Sequence, residues 1–202
     1  MFGFFHLVVV IACLAAALVS AQPDHSKVYI RGISYGGSGC PQGSVGQSLS
    51  QDLTSFTLIF DSFIAYTGDG PANRKSCQIN VDLVVPNGWT FSLVGVDYRG
   101  FVELPAGGIA TQYSLYYFQG ELTQVSNQHV FKGPISGQNY LVHDDIPLAS
   151  TLWSKCNDVV PFNIKNSINV NAPAGASPQG QITTDTIDGK VTQIWGLQWK
   201  KC

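Results

Sequence analysis

Between Arg74 and Trp89 the chain reads Arg-Lys-Ser-Cys-Gln-Ile-Asn-Val-Asp-Leu-Val-Val-Pro-Asn-Gly-Trp, the clearest two-residue alternation in the sequence. Cys77, Ile79, Val81, Leu83 and Val85 share one parity, and Gln78, Asn80 and Asp82 the other. Successive side chains of a strand point to opposite faces, so the pattern predicts a strand with one buried and one wet face. Pro86 has no N–H to continue a ladder, and Asn87-Gly88 favours a tight turn into the apolar run beginning at Thr90. The stretch is therefore read as a sheet strand entering a hairpin, with a cysteine near its start.

The rest of the chain repeats this kind of unit. Val28 to Ile33, Ser44 to Leu49 and Ser55 to Phe60 are expected strands, separated by a glycine-rich loop from Gly36 to Gly43 and a polar turn at Ser50 to Asp52, and Phe63 to Tyr66 adds a short apolar piece. Thr90 to Leu104 is a longer one, with Phe91 and Leu93 on one parity and Val94, Val96 and Tyr98 on the other. That switch predicts a bulge near Gly95. Ile109 to Gln119 places Tyr113, Leu115 and Tyr117 on one side and Tyr116 and Phe118 on the other, a pattern expected of a central strand. His129 to Lys132 and Tyr140 to His143 are short candidates, and Pro161 to Asn171 alternates again through Phe162, Ile164, Ile168 and Val170. Gln181 to Thr184 and Val191 to Trp199 flank Asp188-Gly189, a hairpin signal. With 21 glycines and 10 prolines, no long window is left for a helix. The expected fold is one all-β domain, residues 22–202: an antiparallel β-sandwich of roughly ten strands, with a jelly roll as one form of it.

Leu7 to Leu18 is an apolar run too short to span a bilayer, and Val19-Ser20-Ala21 offers the small residues a signal peptidase reads. Residues 1–21 are thus a signal peptide, although the usual basic start is missing, and no second apolar stretch suggests a membrane anchor. Export implies an oxidising setting, so Cys40, Cys77, Cys156 and Cys202 are expected to form two disulfides. Three connectivities are open; sequence-local closure favours Cys40 with Cys77 and Cys156 with Cys202. Charged residues make up 12% of the chain and the net charge is −2, too small and scattered to attract nucleic acid or anionic lipid.

Several motifs suggest chemistry, and each has a plainer reading. Gly32-Ile33-Ser34-Tyr35-Gly36 has the spacing of a serine-hydrolase elbow, but the glycines after it cannot form the helix that an elbow requires, so a turn is expected. His25, His129 and His143 lack metal-site spacing, and Asp144-Asp145, Asp185 and Asp188 are expected in turns, so neither a metal nor a cofactor is anticipated. Glycoside hydrolysis needs two carboxyl groups across a cleft. The chain has two glutamates, Glu103 and Glu121, and surface solvation is the plainer role for both. Trp195, Leu197 and Trp199 share one parity and are read as core. Trp89 and Trp153 are then the candidates for an exposed ligand surface.

The motifs Tyr35-Gly36-Gly37-Ser38-Gly39-Cys40-Pro41-Gln42-Gly43-Ser44, Arg74 with Cys77-Gln78, Tyr98-Arg99-Gly100, Trp153-Ser154 before Cys156, Asp188-Gly189-Lys190, and Leu197-Gln198-Trp199 to Cys202 span nearly the whole mature chain. Together they resemble a family of small secreted fungal proteins known only as a domain of unknown function. The resemblance brings no catalytic residue or ligand. It implies an extracellular protein of a class in which effector-like or cell-wall roles are suspected. The leading expectation is a non-enzymatic interaction protein, partnered by another protein or by a second copy through a sheet edge. A cell-wall polysaccharide binder ranks second and a glycan-active enzyme third. N-terminal sequencing of the secreted protein is expected to begin at Gln22; a start upstream of Leu18 would contradict the signal peptide.

Overall fold

A computed structural model describes residues 23–51, 55–68, 73–146, 152–156, 159, 161–184 and 191–202. The signal peptide, Asp185 and the Asp188-Gly189 turn lie outside them. Among the described residues, a short 3-10 turn at His25–Lys27 precedes twelve strands: β1 (Tyr29–Gly36), β2 (Val45–Leu49), β3 (Ser55–Phe60), β4 (Ile64–Tyr66), β5 (Arg74–Val84), β6 (Trp89–Leu104), β7 (Ile109–Phe118), β8 (Gln124–Lys132), β9 (Ile135–Asp145), β10 (Phe162–Asn171), β11 (Gln181–Thr183) and β12 (Val191–Lys201). All pairings between them are antiparallel. The fold is an all-β sandwich, as the alternation predicts.

One sheet runs β1-β5-β10-β7-β8, and the other runs β2-β3-β12-β6-β11-β4 with β9 on the free side of β6. In β5 the predicted parity holds: Cys77, Ile79, Val81 and Leu83 are buried, while Gln78, Asn80 and Asp82 are half-exposed. In β10, Phe162, Ile164, Ile168 and Val170 turn inward as expected. Aromatic rings bridge the layers. Phe91 of β6 meets Phe118 of β7 edge-on at 5.4 Å, Phe118 lies 5.2 Å from Phe162, and Phe162 stacks on Tyr116 at 6.5 Å. Burying each such side chain stabilises by about 1.5–3 kcal/mol. The predicted bulge is present: β12 pairs Gly196 with Gly95 but Leu197 with Leu93, so Val94 is extra and exposed. Leu93 and Val96 therefore both face the core.

Three local expectations differ from the structure. First, β1 continues through Gly36, so Gly32 to Gly36 is strand rather than turn, and Ser34 sits on its solvent face. Second, β11 and β12 do not pair with each other as a hairpin; they pair in succession along one side of β6. A sixteen-residue strand offers enough ladder for both. Third, β8 and β9 are nine and eleven residues long, longer than the short candidates around His129 and Tyr140. Their polar composition hid them, because ladder hydrogen bonds do not require apolar side chains.

Both disulfides join sequence-near cysteines: Cys40 to Cys77, with Cα atoms 5.5 Å apart, and Cys156 to Cys202, 5.9 Å apart. The first fastens the glycine-rich segment after β1 to the buried start of β5. Chain entropy over the 37-residue separation corresponds to about 4 kcal/mol. The Cys40→Ala/Cys77→Ala variant is expected to lose about that much in urea denaturation. A loss below about 1 kcal/mol would mean that the sheets alone restrain this loop.

Candidate functional site

The outer face of the five-stranded sheet follows from the same parity rule that builds the core. Side chains opposite the buried set must point to solvent, and register aligns them in rows. Ser34, Asn80, Asn163, Tyr117 and Gln124 form one row across β1, β5, β10, β7 and β8. Gly36, Gln78, Lys165, Leu115 and Ser126 form the next, and Ser76, Ser167, Tyr113 and Gln128 a third. Tyr113, Leu115 and Tyr117 thus make a half-buried stripe about 13 Å long, bordered on both sides by amides and hydroxyls.

These polar groups are interlinked. Asn80 Nδ2 donates to Ser34 Oγ at 3.2 Å, and Gln78 Nε2 reaches Tyr117 Oη at 3.4 Å and Asn163 Oδ1 at 3.5 Å. Asn163 Nδ2 donates to the Pro161 carbonyl at 3.1 Å. Arg31 pairs with Asp82 at 2.9 Å. Across the end of this face where β10 begins lies an open groove of about 330 Å³, lined by Gly32, Ile33, Ser34, Asn80, Asp82, Gln119 and Pro161. Gly32 keeps that space: a Cβ there would meet nothing within 4 Å, so any side chain would enter the groove rather than the sheet. The face can match a polyhydroxylated ligand donor for acceptor, with tyrosine rings for its apolar patches.

The residues singled out from the sequence lie elsewhere. Trp89 and Trp153 are half-buried, each beneath a lysine: Lys201 Nζ is 5.7 Å from the Trp89 ring and Lys200 Nζ 4.8 Å from that of Trp153. They do not share a surface. Trp89 has the parity of Phe91 and Trp199, whereas Trp153 bridges to Ser92 on the opposite face. Glu103 stands near the end of β6, and Glu121 follows β7, which runs back along the sandwich for ten residues, about 33 Å. The two glutamates are therefore at opposite ends, and Glu121 is paired with Lys155 at 3.3 Å. Among the described residues, no group of three or more His, Cys, Asp or Glu is arranged to hold a metal ion.

Asp144, expected in a turn, is instead a buried strand residue between the sheets. It accepts from Ser114 and from Tyr116 Oη at 2.8 Å, and contacts His129 Nε2 at 2.6 Å. Tyr98 hydrogen-bonds to Tyr116 and lies 3.2 Å from Asn166 Oδ1. Burial, aided by the neighbouring Asp144 charge, pushes both phenols well above their ordinary pKa, so they act here as O–H donors. The tyrosine stripe is what sequence reasoning missed. Its signal was a β7 apolar on both parities beside a β10 whose Asn163, Lys165, Ser167 and Asn169 are polar on one.

Residues 26–202 match the family described as Domain of unknown function (DUF4360). An uncharacterized secreted protein of Arthroderma benhamiae is 40% identical over 183 residues, covering 89% of this chain and 74% of that protein. The chain belongs to this family and is a secreted protein. Among solved structures, TmCBM61 in complex with beta-1,4-galactotriose is 9% identical with a TM-score of 0.29, covering 86% of this chain and 90% of that one. A Broad Bean Stain Virus chain is 12% identical with a TM-score of 0.24, covering 92% and 93%. Likeness at these scores assigns no ligand to this chain.

On the other sheet, His143 lies over Gly95, whose missing Cβ leaves room for the imidazole. Its Nδ1 is 2.6 Å from Asp97 and its Nε2 3.4 Å from Asp145. The Asp97 hydrogen bond, with the nearby carboxylate charges, raises its pKa above the ordinary 6.5. A raised folded value gives stabilisation that is complete below about pH 6.5 and is lost as pH rises through the folded pKa. Asp97→Asn is expected to lower the His143 pKa in an NMR titration and to flatten that loss. An unchanged titration would remove Asp97 as the cause.

Proposed function

We propose that this secreted protein is a non-catalytic glycan-binding protein whose binding face is the outer surface of the five-stranded sheet. The carrying observation is the Tyr113–Leu115–Tyr117 stripe set among Gln78, Asn80, Ser126, Ser167 and Gln128 on a solvent-facing sheet. Pyranose rings present flat C–H faces and a rim of hydroxyls. A stripe of rings and aliphatic carbon takes the first, and a border of amides takes the second. The groove from Ser34 and Asp82 to Gln119 extends the same chemistry to the end of the face.

From sequence alone, an effector-like interaction surface ranks ahead of a polysaccharide binder; the composition of this face reverses that order. Pairing through a sheet edge is less favoured at β1, where the register slips between Ile30 and Gly32 and Arg31 projects toward Asp82. Bulged edges recruit strands poorly. A non-catalytic role is supported by the separation of the two glutamates and by Ser34 facing an amide rather than a base.

Retention of the mature protein on insoluble chitin, glucan, cellulose and pectin tests this reading. Tyr113→Ala/Tyr117→Ala is expected to weaken retention about tenfold or more, from roughly 1 kcal/mol per lost ring. Trp89→Ala and Trp153→Ala are expected to leave it unchanged. Failure to bind any polysaccharide overturns the proposal, as does release of oligosaccharides by the unmodified protein.

A further inference from the structure

Charge is not spread evenly over this low-charge chain. The outward positions of the five-stranded sheet carry Arg31, Arg74, Lys132 and Lys165 against one carboxylate, Asp82. Elsewhere among the described residues the charges are mixed: the outward face of the other sheet carries Arg99 and Lys200 beside Asp97, Glu103 and Asp145. Arg31 is neutralised by Asp82, but Arg74, Lys132 and Lys165 have no ion-pair partner among the described residues. Lys165 is the one that matters. It is exposed on the central strand β10, with Gln78 and Leu115 as cross-strand neighbours and Asn163 and Ser167 two residues away on the same face.

The geometry points to a carboxylate-bearing polysaccharide, a polymer of uronic acids, as the ligand of this face, with Lys165 as the group that meets the carboxylate. This rests on the glycan-binding reading above and adds the ligand's charge. A sugar ring lying on Tyr113 or Tyr117 sits one strand spacing, about 5 Å, from the β10 backbone. A carboxylate at the ring's edge then comes within reach of the Lys165 ammonium, while ring hydroxyls meet Gln78 and Ser167. Lysine suits this task because its compact charge rides on a flexible stem and needs no planar partner. The flanking Arg74 and Lys132 extend the positive potential along the face and steer a polyanion onto it.

Calorimetry and affinity electrophoresis should compare polygalacturonate, its fully methyl-esterified form and a neutral β-glucan at about 0.01 M and about 0.5 M salt, between which the Debye length falls from about 30 Å to about 4 Å. The expected result is tighter binding to polygalacturonate than to its ester, weakened by salt. Lys165→Gln should reduce polygalacturonate affinity about tenfold and tighten rather than weaken binding of the ester, whose contact with the face no longer strands an ammonium. Lys200→Gln, on the other sheet, should change neither. Equal affinity for acid and ester, or equal loss in the two lysine variants, overturns the charged-ligand inference while glycan binding stands. Absence of binding to all three polymers overturns the charged-ligand inference, and absence of retention on chitin and cellulose as well overturns both. Because Lys165 is exposed, matching thermal melts for variant and parent establish that any loss is not unfolding.

Discussion

Strand β6 is the constraint on which the rest depends. Its sixteen residues hydrogen-bond to β12 and then β11 along one side and to β9 along the other. A strand with both sides occupied must keep one face toward the core for its whole length, and a one-residue slip would turn the remaining side chains outward. The bulge at Val94 absorbs that slip. Phe91 and Leu93 before it and Val96, Tyr98, Val102 and Leu104 after it all face inward. Gly95 and Gly100 are glycines for a related reason. A Cβ on Gly95 would come within 2.7 Å of the His143 ring, and one on Gly100 within 2.1 Å of the Thr183 carbonyl, where β11 packs close.

Much of this was legible because burial writes itself into parity. Cys77 to Leu83, Phe162 to Val170 and the switch at Gly95 all report which face is covered, and the cysteine spacing reports local bridges. Pairing partners leave no such trace. The Asp188-Gly189 dipeptide suggested a hairpin, yet β11 and β12 are held by β6, because a long central ladder offers hydrogen bonds wherever the returning chain meets it. Asp144 was equally hidden. A carboxylate beside another carboxylate reads as a turn, and only three-dimensional placement beside Ser114, Tyr116 and His129 makes its burial affordable.

The candidate site was hard to read for a different reason. Tryptophan is the conspicuous aromatic in a sequence, but the fold puts Trp89 and Trp153 on opposite faces of one sheet under lysine caps. Tyr113 and Tyr117 stand out less, because a strand apolar on both parities reads only as a central strand. A central strand is covered on both faces only if something packs on each. Here the second sheet covers one, and the other carries exposed Lys165 and half-exposed Ser167 and Asn169 as neighbours.

That composition has a consequence for binding. Covering a face requires stripping water from every group on it, and the cost is far higher for an unpaired charge than for an amide or hydroxyl that regains a hydrogen bond. A face built mainly from Asn, Gln, Ser and Tyr can therefore be covered by a hydroxylated partner at little net loss, since each displaced water is replaced by a matching donor or acceptor. Charge enters sparingly. Asp82 is already paired with Arg31, which leaves Lys165 as the central charge whose desolvation must be met by the ligand itself. A neutral polymer laid over Lys165 would strand its ammonium, whereas a carboxylate would restore the lost solvation. Discrimination against uncharged glycans then comes from the unfavourable alternative as much as from the attraction.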